Sequence, residues 1–92
     1  MAQSFRIDIL IPEGSYFSGE ILSLSAPGLA GYLGVLGGHA PLVTPLAKGK
    51  VELRLADHSQ KIFTVDGGFL EVASNQATLL VEKITSVDLP PP

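Results

Sequence analysis

From Lys50 to Leu55 the chain alternates polar and apolar residues without a break. On an extended strand that spacing puts Val51, Leu53 and Leu55 on one face and Lys50, Glu52 and Arg54 on the other. On a helix the same residues would scatter around the circumference. The period of two recurs where Phe5, Ile7, Ile9 and Ile11 stand opposite Arg6 and Asp8, and where Leu22, Leu24 and Ala26 stand opposite Ser23 and Ser25. Segments 61–65 and 77–83 carry the β-branched and aromatic residues that suit a pleated, half-buried surface. Turn-forming clusters separate these runs: Pro12-Glu13-Gly14, Asp57-His58-Ser59, Asp66-Gly67-Gly68 and Ser74-Asn75-Gln76. The least punctuated stretch, Phe69 to Leu89, has Ser74-Asn75-Gln76 in its middle and reads as a hairpin.

Short strands with turns at these intervals predict an all-β fold, a sandwich or a small barrel. One sheet alone would leave an apolar face in water, so the better solution is a flattened sandwich of two antiparallel sheets of short strands, about 10 Å apart. Several strands are apolar on both sides: Leu10 beside Ile9, Phe63 beside Ile62, Leu80 beside Leu79. One side can fill the core and the other can meet a partner. No internal repeat is present. Pro90-Pro91-Pro92 can continue neither a ladder nor a helix, so the expected organisation is one domain over residues 1–88 and an extended proline-rich tail over 89–92.

A length of 92 residues suits a single domain. The residues are 46% apolar and only 16% charged, the reverse of a disordered acidic segment. Net charge is −3, and the six basic side chains (Arg6, Lys48, Lys50, Arg54, Lys61, Lys83) form no stripe that could neutralise a row of phosphates. Without cysteine there is no disulfide, thiolate metal site or thiol nucleophile. The longest apolar runs, Ile9-Leu10-Ile11 and Leu79-Leu80-Val81, fall far short of the ~20 residues a spanning helix needs. The first residues, with Asp8 inside them and no basic region, do not read as a secretory signal.

Candidate chemistry is sparse. Gly28, Gly31, Gly34, Gly37 and Gly38 invite a phosphate-loop reading, but Gly38 is followed by His39-Ala40-Pro41 and Gly49-Lys50 by Val51 within a strand. Neither has the Gly-Lys-Ser/Thr entry to a helix that holds phosphates. The glycines read instead as places where the chain turns or backbones approach closely. His39 and His58 are the only imidazoles, and no set of converging metal ligands can be assembled around them. His39 reads either as a loop histidine bonded to nearby backbone or as a partner contact; His58 reads as solvated in a turn. Glu71, between Leu70 and Val72, suits an outer face or an ion pair with Arg54 or Lys61. No nucleophile, base and orienting group come together in order, and no cofactor is implied.

Four segments resemble one family in order and at matching intervals. Gly34-Val35-Leu36-Gly37-Gly38-His39-Ala40-Pro41-Leu42-Val43 is similar to the Gly-Ile-x-Pro-Gly-His-Ala-Pro-Leu segment of the epsilon subunit of F-type ATP synthases. Asp66-Gly67-Gly68-Phe69-Leu70-Glu71-Val72, with Asn75 and Ala77-Thr78-Leu79-Leu80-Val81 after it, resembles that family's Gly-Gly-Phe-Leu-Glu-Val. Phe17-Ser18-Gly19-Glu20 and Leu46-Ala47-Lys48-Gly49 resemble its Phe-x-Gly and Leu-x-x-Gly. The resemblance covers the amino-terminal β-sandwich domain and implies a non-catalytic place in the central stalk. There the domain would pack on the gamma subunit and rest on the membrane c-subunit ring, touching the catalytic alpha/beta head indirectly. It implies a peripheral position on the cytoplasmic face of a bacterial plasma membrane, or on the stromal face of a thylakoid. It also implies that Tyr32, Gly38 and His39 lie near the c ring.

Three departures stand out. Tyr32 replaces the acidic residue common in relatives, and Gly37 replaces their proline. The carboxy-terminal helical hairpin of most relatives has no counterpart before Pro92; if the chain naturally ends there, inhibition by helix extension is not open to it. An aromatic at position 32 offers contact area with a polar tip in place of an acidic contact. Two other readings compete with the rotor role. A free-standing β-barrel ligand-binding module would need a concave pocket of roughly 300 Å³ or more, and a small hydrolase would have to use His39 and Glu71.

Overall fold

The computed structural model describes residues 3–86, all strand and turn. The expected tail at 89–92 and the expected domain boundary at 88 lie outside the described residues. The strands are β1 (Phe5–Ile11), β2 (Gly14–Gly28), β3 (Gly31–Leu36), β4 (Leu42–Leu55), β5 (Gln60–Ala73), β6 (Gln76–Leu80) and β7 (Ile84–Ser86). The alternation read from the sequence is realised: Phe5, Ile7 and Ile9 are buried along β1, and Val51 and Leu53 along β4, with Leu55 half-buried at the strand end.

Three strands are longer than the sequence pattern suggests, at 14 or 15 residues each. They bend, so that each belongs to both layers. One layer runs β3, the second half of β2, the second half of β4, the first half of β5, then β7. The other runs the first half of β2, β1, β6, the second half of β5, then the first half of β4. The ladder therefore closes on itself through β1, β6, β5, β4 and β2, and the closed ring is pressed flat into a two-layer sandwich. Neighbours are antiparallel except β1 and β6, which run parallel.

The bends have local causes, and two expectations change because of them. Asp66-Gly67-Gly68 does not end a strand. It lies within β5, where Gly67 at φ +87° and Gly68 at φ +135° take conformations that side chains other than hydrogen rarely adopt. A Cβ on Gly68 would stand 2.2 Å from the Leu80 carbonyl oxygen, so the bend also needs the missing side chain. In β2 the pairing with β4 shifts between Ile21 and Ser23. That extra residue reverses the facing upstream of it: Ile21 is fully buried, while Leu22, expected on the core face with Leu24 and Ala26, is only half-buried. The other expected turns hold, including Ser74-Asn75, whose φ of +51° and +60° make the paired left-handed geometry of a tight two-residue hairpin between β5 and β6.

Both layers contribute to one core, with Ile7, Ile9, Leu70 and Leu79 from one side and Leu24, Val51, Leu53 and Phe63 from the other, all at or below 1% exposure. Tyr16 tilts against Phe63 with ring centroids 5.5 Å apart. Among the described residues no polar or charged side chain is buried, and no helix is long and apolar enough to cross a membrane.

Candidate functional site

The outer faces of the two layers differ. On the layer containing β1, alternation sends Leu10, Leu80, Phe69 and Pro45 outward, and strand register lines them up: Leu10 opposite Leu80, Leu80 opposite Phe69, Phe69 opposite Pro45. Phe69 remains 54% exposed, Leu80 49% and Leu10 36%. Four strands at about 4.8 Å spacing make this an apolar row roughly 15 Å long. Val43, 70% exposed, lies two residues from Pro45 on the same face of β4, opposite Glu71. An open cleft of about 450 Å³ lies beside Leu10, Leu80 and Phe69 of the row, lined also by Ile11, Pro12, Val81 and Glu82.

Towards the β5–β6 hairpin the same face turns polar. The Asp8 carboxylate accepts from the Ser18 hydroxyl, from Arg6 at 3.2 Å and from the Gln76 amide at 2.7 Å. These donors, the Ser18 hydroxyl foremost, hold the Asp8 carboxyl below the usual carboxylate range. Asp57 is likewise lowered, by the hydroxyl and then the amide of Ser59 in the β4–β5 turn. His58 occupies that turn at φ +71°, its carbonyl accepting from Arg54, so the histidine read as a turn residue is one. Glu71 is exposed on the outer face, and the candidate bases point elsewhere: Arg54 to the His58 carbonyl, Lys61 over the Phe17 ring at 5.4 Å.

The opposite layer has a second open cleft, about 410 Å³, across β3, β2 and β4. It is walled by Leu36, Glu52, Arg54 and Gln60 over a floor that includes Ser23, Ser25 and Gly34. Both clefts are surface troughs over a filled core, unlike the interior cavity of a ligand-binding barrel. Among the described residues no three histidines or carboxylates gather where they could hold a metal ion.

The residues singled out from sequence separate into two places. Tyr32 is the second residue of β3, paired with Pro27, and is 62% exposed, but its hydroxyl accepts the Lys50 amide at 3.0 Å. Gly49 passes beneath it, where a Cβ would meet the Tyr32 hydroxyl at 2.7 Å and Pro27 at 2.8 Å. Gly38 and His39 follow the far end of β3, beyond Leu36, which four steps of about 3.3 Å each separate from Tyr32. The structure thus brings Gly38 and His39 together and leaves Tyr32 at the other end of the strand.

The 37–41 loop is held from several sides. The His39 amide donates to the Leu36 carbonyl at 3.1 Å, closing a turn. His39 Nδ1 lies 2.6 Å from the Ala40 carbonyl oxygen. A carbonyl only accepts, so in the neutral ring Nδ1 carries the proton and Nε2 is the acceptor. Gly38, at φ +82°, donates its amide to Asn75 Oδ1 at 2.9 Å, and Asn75 Nδ2 donates to the Ser4 carbonyl at 3.2 Å. Gly37 lies against the amino-terminal segment so closely that a Cβ would be 2.4 Å from the Gln3 carbonyl oxygen. Sequence reasoning identified Asn75 as a turn residue and missed its side chain's role. The partners lie 37 and 71 positions away, a distance no local pattern reports.

Comparison with known proteins matches this chain over residues 4–87 to the family described as the ATP synthase delta/epsilon chain, β-sandwich domain. The ATP synthase epsilon chain of Chlorobium limicola is 46% identical over 83 residues, and that of Chlorobaculum tepidum 49% identical over the same length. Each alignment covers 90% of this chain and 94% of the relative. In fold, the chain matches a chain in the structure of the Euglena gracilis mitochondrial ATP synthase (OSCP, F1 and c-ring) with a TM-score of 0.85 at 18% identity, covering 90% of this chain and 53% of that one.

Proposed function

This chain belongs to the ATP synthase delta/epsilon-chain β-sandwich family, and from that membership we propose that it is a non-catalytic rotor subunit in the central stalk of a proton-translocating F-type ATP synthase. In this reading it packs on the gamma subunit and rests on the ring of membrane c subunits, at the membrane face where ATP is made. The task asked of it is mechanical, and a close-packed interior transmits strain with little deformation.

The observation that carries the reading is the apolar row Leu10–Leu80–Phe69–Pro45 on one outer face of an otherwise well-filled sandwich. A permanent subunit contact is apolar at its centre with a polar rim, and this face has that arrangement, with Glu71 and Glu82 at its margin. We assign the row to the gamma subunit. Tyr32, Gly38 and His39 are proposed for the c ring, which then meets the two ends of β3 as separate contacts.

The test is co-purification with a gamma subunit. The wild-type chain is expected to form a stable complex. A Phe69→Asp, Leu80→Lys double variant is expected to weaken it about a hundredfold, close to 2.8 kcal/mol, with an unchanged far-UV spectrum. Equal affinity of the variant and the wild type, or no complex with the wild type, defeats the assignment.

A further inference from the structure

We infer that Asn75 is the positioning residue of the Gly38–His39 loop: its one amide ties that loop to the β5–β6 hairpin and to the amino-terminal segment. Three stretches of chain, at positions 4, 38 and 75, meet on the two ends of a single side-chain amide. The backbone is prepared for it. Asn75 holds φ +60°, a conformation asparagine tolerates better than most residues, and this turns the side chain from the tip of the hairpin towards the loop. Gly38 at φ +82° presents its amide to Oδ1 instead of to solvent. Gly37 lets residues 3–4 close down, since any Cβ there would overlap the Gln3 backbone. The fastening thus rests on glycine at 37, glycine at 38 and a side-chain oxygen at 75, to which the Asn75 amide nitrogen adds the tie to Ser4.

The consequence falls on His39. Its amide is bonded to Leu36, the last residue of β3, and its ring to Ala40 within the loop, so these bonds set the ring's aim relative to the loop and fasten the start of the loop to β3 alone. Asn75 supplies the bond from the loop to the other layer, at the β5–β6 hairpin. A side chain held this way meets a partner without the ordering cost that a free loop incurs on association.

The first measurement uses the free chain, and the second rests on the rotor reading. In Asn75→Gly, which keeps the left-handed turn and deletes the amide, the Gly38 amide is expected to exchange with solvent about tenfold faster. The His39 ring nitrogen resonances should shift with it. Asn75→Asp keeps the acceptor for Gly38 and loses the donor to Ser4, so it should restore most of the Gly38 protection. Gly37→Ala should reproduce the faster exchange from the other side, with the hairpin intact. Binding to an assembly of gamma subunit and c ring is expected to fall about tenfold in Asn75→Gly and to recover in Asn75→Asp, while thermal stability of the two variants stays similar. Gly38 exchange within twofold of wild type in Asn75→Gly overturns the inference. So does wild-type affinity of that variant for the assembly once exchange has quickened, or a failure of Asn75→Asp to rescue either readout. If the wild-type chain does not bind the assembly at all, the rotor reading falls, and the exchange data still decide whether Asn75 fixes the loop.

Discussion

Asp8 shows how an exposed charge is stabilised on this surface. Its side chain is 26% accessible, and it collects donors from Ser18, Arg6 and Gln76, on three different strands. The carboxyl is held below its ordinary value, so its contribution to stability is complete once the unfolded chain is also ionised, above about pH 4–5. That contribution fades as pH falls through the folded-state value. Thermal unfolding should therefore show wild type above Asp8→Asn at pH 7, with the gap narrowing as pH falls from there through and below the ordinary carboxylate range. A gap that stays constant across that range would mean the donors do not favour the charged form. Tyr32 teaches a different lesson at the same scale. The sequence marks it as an exposed aromatic with a polar tip, which is correct, but not that the tip is already engaged by the Lys50 amide over a glycine chosen for clearance. Which polar atom of an exposed residue is still free depends on neighbours a long way along the chain.

At the scale of the elements, alternation was a reliable guide because a strand with one wet face must show it. Val51 and Leu53, and Phe5, Ile7 and Ile9, are buried where the period of two places them. The bends were harder to read. A strand that crosses from one layer to the other changes which of its faces is inward, so the pattern fails at the crossing, and Leu22 is the residue misplaced by it. Asp66-Gly67-Gly68 reads as a turn for a sound reason, since two adjacent glycines do take positive φ, but the chain continues in the same ladder afterwards. The candidate site was legible to the same degree: Leu10 and Leu80 were visible as second-side apolar residues, whereas their alignment with Phe69 and Pro45 follows from register alone. The β5 bend yields a direct test. Gly68→Ala should cost about 2–3 kcal/mol, combining an unfavourable φ with a 2.2 Å approach to the Leu80 carbonyl. Gly34→Ala, whose added atom meets nothing nearer than 4.0 Å, should stay within about 0.5–1 kcal/mol of wild type. Equal denaturation midpoints for the two variants would refute this account of the bend.

For the whole molecule, the division between a filled interior and a bare apolar row separates two kinds of large side chain. Phe63 is fully buried and Phe69 is 54% exposed, although they lie six residues apart on one strand. Phe63→Ala should destabilise the isolated chain by about 3–5 kcal/mol in chemical denaturation. An unfolding free energy within 1 kcal/mol of wild type would show that the core collapses around the loss.

The strands that serve both layers bear on how such a body responds to twisting. A sandwich made of two independent sheets has a shear plane between them, crossed only by van der Waals contact. Here covalent backbone crosses that plane in β2, β4 and β5, at places fixed by a register shift or paired glycines. A torque applied to one wall is carried to the other along peptide bonds, as in a folded girder, and not by friction between two stacked plates.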